Sequence, residues 1–487
     1  MLALLLGLLS GCGLTGPPRP SPSPSPAPRP FTVMSTDPIR VTDPAAITDA
    51  ASTVLSLNVF QRLMTADPGE SAPKPDAARD CIFSTPTTYT CTLNEEEFFH
   101  NGHPLTSSDV KFSIQRAARL DVPGSSASLL DSLRRIETPD PVTVRFLLSR
   151  VDTQFVWALA SPAASIVDEE VYDSDRVRSP EESIVGSGPF AVTSREPDTL
   201  ALQRYEDYVG RNPVTDLESL VYRTVADSAS IEDAMDKGLV DVVWRGLDEA
   251  AITRLSSQVT TSPDQVTGNG FSQEVLTGTR VRQLVWSPAS RARGNAPLRQ
   301  AITLALQGDR TSDSIVPGGV PGHAATFALG GKATPKVTWN SRINLTLGYD
   351  STMPDGRDSA TQIRTRLEDT GGLSVRLRPD EEGDLTLVDR KAWTATAVAW
   401  LQPYLQAPLP ATADTVAALE SNFRQTDPEN PGANQLLSQL QKQAGADRVV
   451  LPVSQSDEYL YTAAGVELPT TSFGPGWQLG FFGMSRG

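Results

Sequence analysis

Few side chains in this sequence are placed for bond-making chemistry. Its three histidines are His100 and His103, in a polar turn, and His323, which follows Gly322 in a glycine-rich loop. None stands in H-E-x-x-H and no paired-cysteine site accompanies them, so no metal is expected. Ser187 sits in Gly186, Ser187, Gly188, Pro189, Phe190, but the elbow G-x-S-x-G is missing and no base can be named for it. A Walker loop is also absent, and so is a G-x-G-x-x-G at a first βα turn, which leaves nucleotide and dinucleotide chemistry without a cradle. Cys81 and Cys91 flank a run of β-formers with Ser84, Thr85 and Pro86 in its middle, which reads as a hairpin stapled across its strands. A metal or redox pair would require further ligands or C-x-x-C spacing. The sequence therefore points to recognition rather than catalysis: no enzyme and no cofactor. Trp400 and Tyr404, with Gln402 between them, make either a stacking wall for a ligand or a pair of core aromatics.

The elements that position such residues can be read in outline. Phe98–Arg119 is strand, tight polar turn, then helix: Thr106 caps it, Asp109 reaches back to the open amide end, and Val110, Ser113, Ile114 and Ala117 share one face. Asn101, Gly102 and Pro104 make the turn stiff, so the helix is aimed. A short strand at Phe31–Met34 leads to a loop at Asp43, Pro44, Ala45 and a helix through Val54, Leu57 and Leu63. Further strands are expected at Pro139–Leu148, from Phe190, around Leu200–Tyr205, and at Val281–Trp286 and Asp447–Val453. Phe155–Ile166 reads as a buried helix or turn, and Leu217–Asp241 as strand then helix. Pro297 pre-sets a helix carrying Ala301, Ile302 and Ala305. Ile343–Tyr349, Asp358–Glu368 and Leu373–Leu377 form a βαβ unit.

The whole chain sets outer bounds. At 487 residues it is too long for one simple core and suggests two or three units. A net charge of −16 argues against nucleic acid and against an anionic membrane face, both of which require a basic surface.

Several of these stretches are similar to one family. Phe98–Ser113 resembles F-H-(D/N)-G-x-P-(L/F)-T-(A/S)-x-D-V-x-(F/Y)-S, the signature of extracytoplasmic solute-binding proteins of peptide and nickel ABC importers, solute-binding family 5. The D-P-A loop, Val59–Leu63, the Gly186–Phe190 stretch, Gly238–Asp241 and the Pro297–Arg310 helix resemble further motifs of that family in the same order. The resemblance implies an α/β, two-lobed periplasmic-binding-protein-like fold of type II with an extra subdomain in the first lobe. It divides the chain into lobe 1 at 31–284 (inserted subdomain about 65–180), lobe 2 at 285–450, and a return to lobe 1 at 451–487. The strands near Leu284 and Val450 would be the crossings and the hinge. The implied ligand-lining residues are Ser35, Ser187, Gly188, Trp286, Trp400, Gln402 and Tyr404.

In peptide-binding members an acidic residue shortly after a tryptophan holds the ligand's ammonium. Here the stretch after Trp400 holds no carboxylate, which disfavours ordinary N-terminus capture at that spot. The implied function is a receptor that captures a peptide or similar small solute and delivers it to ABC permease and ATPase subunits. The alternative is a degenerate member acting as a surface sensor or scaffold. At the N-terminus, residues 1–11 are apolar and too few to span a bilayer, which takes about 20 residues. They end in Leu9, Ser10, Gly11, Cys12, which resembles a lipoprotein cleavage site, although no Lys or Arg precedes them. Cys12 would carry the lipid, and the proline-rich 12–30 would tether a monomer outside the cell membrane.

Overall fold

The computed structural model describes residues 29–487, apart from 71, 214, 332–340 and 428–429. The export segment 1–11, Cys12 and the proline-rich tether up to residue 28 lie outside the described residues.

The main sheet has ten strands, and two of them explain its plan. Ser272–Trp286 and Val450–Thr462 run antiparallel to each other through the middle. On one side Val242–Trp244 joins the end of the second, followed in space by Phe31–Ser35, Ser219–Thr224, Thr199–Arg204 and Phe190–Glu196. On the other side Leu385–Arg390 pairs with the end of the first, followed by Ile343–Tyr349 and Leu373–Pro379. Each half has a parallel heart: Phe31–Ser35 between two parallel neighbours, and Ile343–Tyr349 likewise. Parallel strands require crossovers, and the helices Ser228–Asp236 and Gly356–Glu368 supply them.

The strands read around Leu284 and Val450 are thus the two that serve both halves. Their ladder is interrupted elsewhere, between the pairs Leu276/Glu458 and Arg280/Ser456. Gly278 sits in that gap with φ +67°, a conformation side chains resist, and its N–H donates to Asp457 Oδ1 at 2.8 Å. The strand read as Asp447–Val453 is longer and starts later. Asp447 closes the helix Pro431–Asp447, and the strand continues through a polar run to Thr462. Pro452 is tolerated in this central strand at a second register shift, opposite Gln283.

A separate four-stranded antiparallel sheet orders Ala78–Thr85, Thr88–Leu93, Thr143–Leu148 and Leu133–Asp140. Cys81 and Cys91 face each other directly across its first hairpin and are disulfide-bonded. The helix Ser107–Leu120 packs on this sheet with the expected capping box and the expected buried face. Its face also buries Arg116, whose Nη1 and Nη2 donate to Asp43 Oδ1 at 2.9 Å and Oδ2 at 2.5 Å. The D-P-A loop is therefore clamped to the helix by a bidentate pair.

Candidate ligand-binding site

In open α/β sheets the carboxyl ends of parallel strands leave a crevice, because the chain turns away there toward opposite faces. A cavity of about 490 Å³ lies at such ends here. Asp37 follows the strand Phe31–Ser35, Arg245 follows Val242–Trp244, and Asp350 follows Ile343–Tyr349. Asp389, Arg390 and Lys391 come from the end of Leu385–Arg390 and the residue after it. Trp286 and Trp393 add aromatic wall.

The charges are arranged as a lattice shared by both halves of the sheet. Arg245 donates Nε to Asp37 at 3.2 Å, lies 2.9 Å from Asp389 through Nη2, and reaches Glu458 at 3.4 Å through Nη1. Arg280 donates to Asp389 at 3.0 Å, and Lys391 Nζ to Glu458 at 2.5 Å. Arg245 takes φ +55°, a left-handed backbone uncommon for a non-glycine residue, which aims its side chain into the lattice.

The three carboxyl groups respond differently. Burial pushes Asp37 up to about 6, with the Arg245 guanidinium only partly offsetting it. At Asp389 burial pushes the same way, but Arg245, Arg280 and Arg282 outweigh it and hold the group below the usual carboxylate range. Glu458 is likewise held down by Lys391 and Arg245 against its burial. Three buried polar atoms on lining residues have no hydrogen-bond partner: Trp286 Nε1, Asp389 Oδ1 and Arg390 Nε. Among the described residues no cluster of His, Cys, Asp and Glu could hold a metal ion, and no helix is long and apolar enough to cross a membrane.

A model of the bacterial extracellular solute-binding proteins, family 5 (middle region), matches residues 72–336, over half of the chain. The chain belongs to this family. Among curated members it is similar to "Probable D,D-dipeptide-binding periplasmic protein DdpA" of Escherichia coli K12, 29% identical over 159 residues, 32% of this chain and 30% of that one. It also resembles "Probable ABC transporter periplasmic-binding protein SapA" of the same organism, 22% identical over 66% of this chain and 58% of the other. These alignments therefore span less than two thirds of either relative. Among solved structures, the dipeptide-binding protein of Pseudoalteromonas sp. SM9913 in complex with Met-Leu superposes with a TM-score of 0.78. It is 16% identical, with 94% of this chain and all of that one covered. Family 5 fold and family 5 membership agree: an α/β, two-lobed, type II binding protein.

Of the residues the family motifs suggested, the structure brings Trp286 to the cavity. Ser35 ends the first strand, fully buried, and its Oγ accepts from the Asp37 N–H at 3.0 Å, so it braces a lining residue. Ser187 and Gly188 lie elsewhere, against the end of the helix Ala50–Val59. A Cβ on Gly188 would come within 2.6 Å of the Val59 carbonyl carbon, so its glycine admits a backbone crossing. Ser187 is buried beside Gln61, whose amide nitrogen, turned toward it, donates to the Ser187 carbonyl at 2.7 Å. Trp400, Gln402 and Tyr404 are buried on the helix Ala397–Leu405, and Tyr404 Oη donates to Asp447 Oδ2 at 2.7 Å. That helix reaches the cavity through Pro403.

The residues not foreseen are Asp37, Arg245, Asp389, Arg390 and Trp393. A signal for the last three existed: Leu385 and Leu387 alternate as a strand after Gly383, and the charged Asp389, Arg390, Lys391 stand at its end, just before a tryptophan. No carboxylate follows Trp400, but Asp37 and Asp389, from other elements, line the cavity.

Proposed function

We propose that this chain is an importer receptor that encloses a peptide or similar small charged solute in the 490 Å³ cavity. It then presents the closed form to a membrane permease driven by separate ATPase subunits. The observation that carries this reading is a cavity lined by both signs of charge at the strand ends of a family 5 fold. Asp37 keeps one carboxylate oxygen off the protein's own hydrogen bonds, available to an ammonium. The peptide ligands named for the D,D-dipeptide-binding relative and for the Met-Leu complex support the same class.

The topology supports closure. We divide the chain into lobe 1 (31–284 and 451–487) and lobe 2 (285–450), with bending at the interrupted ladder around Gly278 and Asp457. Two strands bending at one gap let the lobes move as bodies with little repacking. A solute touching both lobes binds the closed form better and shifts the population toward it. Cys12 as a lipid attachment site would keep this receptor at the outer face of the membrane.

Thermal melting with pooled di- and tripeptides tests the reading. A ligand present at 100 times its Kd adds about 2.7 kcal/mol, a shift of several degrees. No shift with any pool would remove peptides as the cargo. Mass spectrometry of the mature N-terminus from membranes, finding Cys12 without acyl chains, would remove the anchor.

A further inference from the structure

The gap in the central ladder is filled by side chains. Between the pairs Leu276/Glu458 and Arg280/Ser456, Thr277, Gly278 and Thr279 stand against Asp457 alone, so regular backbone pairing lapses there. Peptide groups left without partners are costly, and the polar run of the strand Val450–Thr462 supplies replacements. Asp457 Oδ1 accepts from the Gly278 N–H at 2.8 Å, and Gln455 Nε2 donates to the Gly278 carbonyl at 3.0 Å. Thr279 Oγ1 donates to Glu458 Oε2 at 3.3 Å, which joins the gap to the charge lattice of the cavity.

Gln455 reaches further than the gap. The same Nε2 donates to the Gly318 carbonyl at 2.8 Å, and Oε1 accepts from the Gly318 N–H at 2.8 Å. A side-chain amide has two donor hydrogens, and both are committed here. The loop that carries Gly318 is anchored close by. The Thr311 N–H donates to the Val453 carbonyl at 3.0 Å, the Gln455 N–H to Thr311 Oγ1 at 3.2 Å, and Gln283 Nε2 to the Ile315 carbonyl at 3.1 Å. In the lobe division proposed above, Gly278 falls in lobe 1 and Gly318 in lobe 2. One side chain on a crossing strand thus holds a backbone group from each, at the point where bending is placed. The fit is close on one side: a Cβ at Gly278 would come within 2.7 Å of Gln455 Nε2, whereas one at Gly318 would lie an ordinary 3.5 Å from Oε1.

We infer that Gln455 is a strap across the bend, a positioning residue for solute capture that favours the closed form without touching the solute. It does not line the cavity. Bending at the gap alters the spacing of the Gly278 and Gly318 carbonyls, and a single Nε2 cannot follow both. Opening therefore gives up part of the bracket and closing restores it. Gly318 is exposed, so water competes for these bonds, and the strap shifts a balance rather than locking it. Solute affinity carries that shift, because apparent affinity falls with the fraction of chain in the competent form. The inference rests on the lobe division and closure reading above.

The test reads lobe arrangement and affinity separately on the full chain: small-angle X-ray scattering without peptide, and calorimetric titration with pooled di- and tripeptides. Gln455→Ala should expand the free chain and weaken peptide binding by up to about tenfold. Gly278→Ala should act in the same direction, and the two together should do less than the sum of each, since both cut one link. Gly318→Ala keeps its backbone groups and meets only ordinary contact, so it should match the native chain in both measurements. If Gln455→Ala scatters like the native chain, the strap is wrong, whatever the titration shows, and peptide capture stands wherever a pool binds. If the variant expands but no pool binds the native chain, the strap stands and the peptide reading falls. Neither expansion nor binding overturns both. Should Gln455→Ala fail to fold, Gln455→Glu takes its place, because it keeps the acceptor for Gly318 and removes both donor bonds.

Discussion

Arg116 and Arg424 are both almost wholly buried, each 1% exposed and each facing a carboxylate with no exposure, yet they sit in different kinds of place. Arg116 grips Asp43 with two donors, and the backbone N–H groups of Ala45 and Arg178 also donate to that carboxylate. All of these residues fall in the proposed first lobe. Arg424, on the helix Ala413–Gln425 of the proposed second lobe, reaches Asp152 at 3.4 Å, in the loop after the four-stranded sheet. It keeps a second partner on its own helix, Glu420 at 2.7 Å. If the lobes part at the Gly278 gap, the first pair travels intact and the second is broken, leaving Arg424 with Glu420. Equal burial therefore marks two uses of an ion pair. One fixes the fold, and the other, on the proposed lobe division, would hold a particular arrangement of the lobes.

The sharpest way to break this contrast is Asp43→Asn. It leaves the Arg116 charge buried beside an amide, and should cost about 3–5 kcal/mol in urea unfolding. Opening the Cys81–Cys91 bridge by Cys81→Ser with Cys91→Ser strikes the same lobe through the unfolded chain. A loop this short should lose about 2–3 kcal/mol, seen as a lower melting temperature with the ligand affinity unchanged. Asp152→Asn should behave differently. Arg424 retains Glu420, so stability should fall by only about 1 kcal/mol, while solute affinity drops several-fold because the closed form loses a contact. A stability loss at Asp152 as large as that at Asp43, with affinity untouched, would erase the distinction.

The sequence was most readable where neighbours in the chain are neighbours in space. Thr106 and Asp109 announce their capping box, Cys81 and Cys91 their hairpin, and Ile343–Leu377 its βαβ unit, because each is settled within a few turns of chain. The cavity was readable only in part. Asp389 and Lys391 look like part of a solvated charge run, and their side chains become buried only because Arg245, Arg280 and Glu458 arrive from far along the chain to face them. The polar run Ser454–Glu458 hid the second half of a central strand for the same reason, since its pairing with Ser272–Trp286 overrides weak local preference. Gly186 and Gly188 did signal close approach, but what approaches is the end of a helix. The helices Ala413–Gln425 and Pro431–Asp447 went unread because their apolar stripes are thin.

A quieter test separates ordinary core polarity from the lattice. Glu97 is 4% exposed and accepts from Asn94 Nδ2 at 2.7 Å, with no cation beside it. Burial pushes its carboxyl up to about 8, against about 4.5 when solvated. Between those values the unfolded chain has released a proton that the folded chain keeps, so stability is fully present at low pH and is lost as pH rises toward 8. Asp389 and Glu458, held down by cations, have the opposite sign: their contribution is present above the usual carboxylate range and lost on acidification. Glu97→Gln keeps the acceptor for Asn94 and removes the ionisation, so it should raise stability by on the order of 1 kcal/mol at pH 8 and change it little at pH 4. Melting curves across that range check the sign. A variant whose gain is the same at both pH values would mean that Glu97 is not protonated in the folded chain, and that the difference between cation-free and cation-rich carboxylates drawn here is not expressed in stability.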